Sequence, residues 1–291
     1  MSAPMDIRLT WWRLLLRNPV TVVSALVLVA VMVIAVAANW IVPHGINDVD
    51  VPSALQSPSD AHWFGTDELG RDVLSRVLVA IQASMKVAVV SVAFAVVVGV
   101  SIGIVAGYRG GWIDTVFMRV VDVMFAFPVL LLALAIVAVA GPGVTTTMLA
   151  IGIVYTPIFA RVARASALSV RVEPYVAVSR TMGTGHGYIL TRHVLPNITG
   201  PLVVQTSVSL AFAILSEAAL SFLGLGIQPP QPSLGRMIYD SQGFVTMAWW
   251  MAVFPGAAIF VIVLAFNLLG DGLRDVLDPK QRTLAEARGA R

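Results

Sequence analysis

Residues 18–43 read NPVTVVSALVLVAVMVIAVAANWIVP, a run without one charged side chain. A helix that crosses a bilayer needs about 20 mostly apolar residues, and Val20 to Ala38 comes close to supplying them alone. The competing reading is a secretory signal, since Ala35-Val36-Ala37 has the small-residue pattern of a cleavage site. A signal core is only about 7–15 residues long, so the stretch reads instead as a first membrane span, preceded by Arg8, Arg13 and Arg17.

The rest of the chain agrees with lipid as its solvent. Of its 291 residues 58% are hydrophobic and 12% are charged, about half the charged fraction of a soluble domain. A chain this apolar cannot cover itself with polar surface. Cysteine is absent, which excludes disulfides, thiolate metal sites and cysteine nucleophiles. The net charge is only +3, and no dense Lys/Arg block reads as a nucleic-acid arm.

Working outward, a second span is expected over Val87–Gly107. No charge occurs between Asp122 and Arg161, which is too long for one span; Gly141-Pro142-Gly143 breaks it into helices over 119–140 and 145–165. Spans five and six fall at 200–223 and 249–270. The expectation is an all-α, six-span membrane protein. Its parts are an N-terminal segment 1–19, a first span 20–42, an outer loop 43–80, a five-helix core 81–270 and a tail 271–291. Only Arg71, Arg76 and Arg236 lie in the loops opposite the N-terminus; Lys86 sits at a helix end, and the other basic residues lie on the N-terminal side. The positive-inside bias therefore places both termini in the cytoplasm.

Several catalytic look-alikes fail on chemistry. Residues 65–72, GTDELGRD, have the glycine spacing of a P-loop but lack its Lys and its Ser/Thr. Gly99-Val100-Ser101-Ile102-Gly103 matches a nucleophile elbow, yet it lies inside a span, and His44, His62, His186 and His193 all lie outside the spans. Gly99, Gly103 and Gly107 instead recur every four residues, giving one helix face smooth enough for close packing. His62, Asp67, Glu68 and Asp72 have no metal-ligand spacing and read as a solvated, turn-rich loop. Asp122 lies three residues after Arg119 and is expected to pair with it on one helix face. Glu217, near the outer end of span five, is read either as lining a passage or as an interhelical hydrogen-bonding group. These acids are too few to favour an ion-coupled carrier, which wants several near the midplane.

One polar, glycine-punctuated interlude separates spans four and five: VSRTMGTGHGYILTRHVLPN, 178–197, within a loop 171–197. Pro174 suits a first helical turn and Gly183 a helix end. Between them Tyr175, Val178 and Met182 fall on one face, so a helix of about nine residues is expected. Gly185 and Gly187 then allow a sharp turn, Tyr188-Ile189-Leu190 forms a second apolar patch, and Pro196 ends the excursion. A helix this short is marginal alone. Its partner is either the lipid interface, with Arg171, Arg180 and Arg192 at headgroups, or a groove on a soluble protein.

The interlude resembles the cytoplasmic coupling loop of bacterial ABC importer permeases, whose pattern is Glu-Ala-Ala, three residues, Gly, nine residues, Ile, one residue, Leu-Pro. Ala177-Val178-Ser179 occupy the first three places, and Gly183 and Leu195-Pro196 fall at the family's spacing. Ala177 stands where the family has Glu, and His193 where it has Ile. HWFGTDELGRDVLSR at 62–76, RVVDVMFAFPVLLLAL at 119–134 and SEAALSFLGLG at 216–226 resemble the C-type permease of oligopeptide or dipeptide importers. That resemblance implies a bacterial inner-membrane subunit paired with a B-type permease. It also implies two ATPase subunits carrying ATP and magnesium, and an extracytoplasmic peptide-binding protein. The chain itself would hold no cofactor, metal or catalytic residue, and would bind lipid but no nucleic acid. The implied ATPase-coupling residues are Tyr175, Ala177, Val178, Ser179, Arg180, Met182, Gly183, Leu195 and Pro196. A nickel-complex or glutathione permease of the same family is the alternative, and an ion-coupled carrier a more distant one.

Overall fold

A computed structural model of the chain describes Leu16 and residues 18–277. The expected N-terminal segment up to Arg17, apart from Leu16, and the tail beyond Leu277 lie outside the described residues. Among the described residues there is no β-strand, only an isolated bridge between Thr66 and Asp72.

Helix α1, Pro19–Ile41, begins where the sequence provides a cap: the Asn18 side chain accepts from the Val20 amide at 3.0 Å and proline takes the first helical position. Val23, Leu26, Val29, Val33 and Val36 are exposed along it, an apolar face suited to lipid tails or to another membrane helix. Helix α2, Val73–Arg109, has 37 residues and is therefore about 55 Å long, well beyond a hydrocarbon core of about 30 Å. Its first turns, 73–80, come from the stretch expected to be loop.

Helices α3, Gly111–Phe125, and α4, Val129–Ala140, correct the sequence reading of one continuous helix over 119–140: the two are bent by 90° at residues 126–128. Pro128 is the cause. It has no amide to donate, and its ring disfavours helical backbone at Phe127. The Gly141-Pro142-Gly143 break occurs where expected, with φ of +91° at Gly141 and +153° at Gly143. Helix α5, Val144–Arg171, follows. After the short α6, Pro174–Thr181, the chain makes a helical turn at His186–Ile189, a π-helical turn at Leu190–Val194 and another turn at Leu195–Asn197. Helices α7, Thr199–Phe222, α8, Leu234–Asp240, and α9, Trp250–Leu277, complete the described chain. Five of these helices are long and apolar enough to cross a membrane, and the bent α3–α4 pair makes a sixth if it is one broken span.

Helix α2 sits at the centre, against α5 most extensively and also against α1 and α7. The glycine stripe explains the closest of these contacts. A Cβ on Gly99, Gly103 or Gly107 would run into the carbonyl oxygens of Thr156, Ala160 and Arg164 respectively. Glycine every fourth residue thus lets two backbones meet without intervening side chains.

Candidate coupling surface

The interlude folds as a tied unit at the C-terminal end of α2. Helix α6 ends in a Schellman arrangement: the Gly183 amide donates to Arg180 O and the Thr184 amide to Ser179 O, with Gly183 at φ +75°. Gly183 is therefore required by the helix end itself. No other atom lies near the Cβ it lacks.

One residue of α6 is buried, Val176, which is fully enclosed. It stands about 200° around the helix from Val178, so the apolar stripe seen in the sequence faces the other way. Tyr175, Val178 and Met182 are 40%, 55% and 79% exposed, and Ala177, Arg180 and Gly183 are exposed as well. Ser179 is half-buried, its hydroxyl 3.5 Å from His193 Nε2. The His193 ring lies 5.8 Å from that of Tyr175 and 5.9 Å from that of Tyr188. In the second apolar patch Ile189 is buried and Tyr188 exposed. Leu195 and Pro196 are exposed too, in a short helical turn, Leu195–Asn197, directly before α7. The nine expected coupling residues thus fall on one segment, most of them on its open side.

Sequence reasoning missed the anchor of this segment. Tyr108, 4% exposed at the end of α2, places its hydroxyl 3.1 Å from His186 Nδ1. The Arg180 guanidinium lies over the Tyr108 ring at 4.6 Å, a cation–π contact. Arg171 Nη1 donates at 3.4 Å to the carbonyls of Gly107 and Tyr108. Tyr108 closes the glycine-stripe helix just before Arg109 and Gly110, and no periodicity signals a contact 78 residues away.

Three further acids bond across helices. Asp122 accepts from Arg161 of α5 at 2.7 Å, which corrects the local pairing with Arg119. Asp114 and Arg164 form a second, bidentate α3–α5 pair. Glu217 is fully buried: Ser84 of α2 donates to Oε2 at 2.6 Å and Ser221 to Oε1 at 2.7 Å. Of its two readings, the interhelical contact is the one observed, and both carboxylate oxygens are satisfied.

The loop before α2 is not the solvated loop the sequence suggests. Asp67 and Asp72 are 4% and 3% exposed. Arg71 donates to Asp67 at 2.7 Å and to Glu68 at 3.0 Å, and the buried Arg76 guanidinium lies 3.5 Å from Asp67 and donates to Ile46 O. Burial, and then the Asp67 charge, push the Glu68 carboxyl above its ordinary value. Two acids and two bases, with partners three to nine residues apart in sequence, thus build a compact cap at the opposite end of α2 from Tyr108.

Known proteins agree with this architecture. Residues 8–58 match the N-terminal TM domain of oligopeptide transport permease C. The chain is 40% identical to a dipeptide transport system permease protein of Alkalihalophilus pseudofirmus, over 92% of this chain and 88% of that one. It is 43% identical to a glutathione transport system permease protein of Escherichia coli, over 95% and 93%. Among solved structures, an inward-facing methionine ABC transporter, MetNI, superposes with a TM-score of 0.58 at 17% identity, over 71% of this chain and 96% of that chain, a likeness of fold. Residues 99–283, from the glycine stripe past the end of α9, match the binding-protein-dependent transport system inner membrane component, and this chain belongs to that family.

Proposed function

We propose that this chain is one of two permease subunits of an ATP-driven importer for short peptides, dipeptides or the tripeptide glutathione among them. The observation that carries the reading is the outward apolar face of α6, Tyr175, Val178 and Met182, on a helix held to its own chain by Val176 and the Tyr108 anchor. A short helix with an open apolar face fits a groove on a partner. In this reading the partner is a cytoplasmic ATPase subunit, one of two that bind ATP and magnesium. A second permease completes the pathway, a binding protein delivers solute at the loop 43–72 end, and both termini lie in the cytoplasm.

The work is mechanical. ATP-driven closure of the ATPase pair displaces α6. Through Arg171, Tyr108 and the flanking helices the displacement reaches α2, α5 and α7, and the passage alternates between inward-open and outward-open. Ala177 offers no carboxylate at the place where the family pattern has Glu, so the contact rests on packing. Val178→Asp and Met182→Glu put a charge into that contact without touching the buried face. In the reconstituted complex they should release the ATPase subunits or uncouple ATP hydrolysis from peptide uptake, with membrane insertion intact. Normal uptake and full co-elution in both variants would overturn the assignment. Uptake driven by an ion gradient without ATPase subunits would replace it with a carrier.

A further inference from the structure

We propose that His44, His62 and Asp72 form a three-ligand site for a borderline divalent cation of the Zn2+ class, clipping the exit of α1 to the start of α2. The three come from separated positions, and their ligand atoms all lie within 4.8 Å of one another. His62 Nδ1 is 2.9 Å from Asp72 Oδ1. His44 Nδ1 points at the same oxygen from 3.8 Å, too far for a hydrogen bond, and the two imidazole centroids are 4.7 Å apart.

The carboxylate is built in. Asp72 is 3% exposed, and its other oxygen, Oδ2, accepts from the Ser75 amide at 2.8 Å and the Ser75 hydroxyl at 2.7 Å. Those bonds fix its rotation and leave Oδ1 toward the imidazoles. Ser75 Oγ also accepts from the His44 amide at 3.2 Å, so one hydroxyl supports two of the three ligands, the outer-shell arrangement metal sites use. Two imidazoles and one carboxylate suit Zn2+, Co2+ or Ni2+ better than Mg2+ or Ca2+. Tetrahedral bonds of about 2.0–2.1 Å hold ligand atoms about 3.3 Å apart. Reaching that spacing needs a small swing of His44, whose side chain is 41% exposed. That exposure also leaves the fourth position to water. The positive end of the α2 dipole opposes a cation here, and the Asp72 charge offsets it. The proposal is independent of the transported solute and of the ATPase contact.

The test uses the full chain in its assembled complex, stripped with a chelator and titrated with Co2+. The expected result is one equivalent of Co2+ with the visible bands of a tetrahedral site, displaced by Zn2+. His44→Ala and His62→Ala should each abolish the bands and weaken binding at least tenfold, while Asp60→Asn, in the same loop, leaves both unchanged. Absence of tetrahedral bands in the wild-type complex would overturn the proposal and leave His62–Asp72 as a hydrogen bond completing the helix cap. Persistence of the bands in both histidine variants would overturn it equally.

Discussion

The Tyr108 hydroxyl lies 3.1 Å from Nδ1 of His186, joining the end of a 37-residue helix to the segment that carries the exposed apolar face. Tyr108→Phe removes that bond and keeps the ring under Arg180. One hydrogen bond contributes about 0.5–1.5 kcal/mol, so amides 174–194 should exchange several-fold faster by hydrogen–deuterium exchange while the transmembrane helices stay protected. Tyr108→Ala, which also loses the cation–π contact, should loosen the segment further.

The Schellman turn makes its own prediction. Gly183 has φ +75° and open space around its missing Cβ, so backbone strain alone sets the cost. Gly183→Asn, which tolerates left-handed backbone, should be mild, while Gly183→Val should cost about 1–2 kcal/mol of local stability. Proteolytic nicking within 174–190 reads the difference.

Steric contact governs the glycine stripe. At Gly103 a side chain meets the Ala160 carbonyl, which as backbone has little room to yield. Gly103→Leu should destabilise the chain by about 1–3 kcal/mol, seen as a lower thermal midpoint in detergent. Gly185→Ala, with nothing near its Cβ, is the matched control and should stay within about 0.5 kcal/mol.

Removal of the Ser84 hydroxyl leaves Glu217 Oε2 without its donor inside a fully buried site. Ser84→Ala should cost about 1–3 kcal/mol and lower the unfolding midpoint. In a Glu217→Gln background the same change should cost measurably less, because the two groups form one interaction.

Glu68 connects stability to pH. Its carboxyl is raised by burial and by Asp67, so the folded chain holds the proton more tightly than the unfolded one. The associated stability is complete below the ordinary value of 4.5 and is lost as pH climbs through the raised folded value. Glu68→Gln stays neutral. Its melting-temperature advantage over wild type should therefore be small near about pH 4.5 and grow towards about pH 7.

What the amino-acid order determined on its own is whatever local chemistry dictates. The apolar runs, the Gly-Pro-Gly break, the Pro174 start and Gly183 end of α6, and the smooth face of Gly99, Gly103 and Gly107 were all readable, because period, propensity and backbone restriction act within a few residues. Only the tertiary structure decided which partner each polar group takes. Asp122 turns to Arg161 rather than Arg119, Glu217 finds Ser84 across 133 positions, and His186 finds Tyr108 across 78. Arg71 is held by Asp67 and Glu68 in a loop that looked solvated. Pro128 lay in plain view, yet its effect, a 90° bend, competed with an unbroken apolar run. Buried charges and hydroxyls must be satisfied by whatever packing brings near, and that is a property of the assembled helices rather than of sequence spacing.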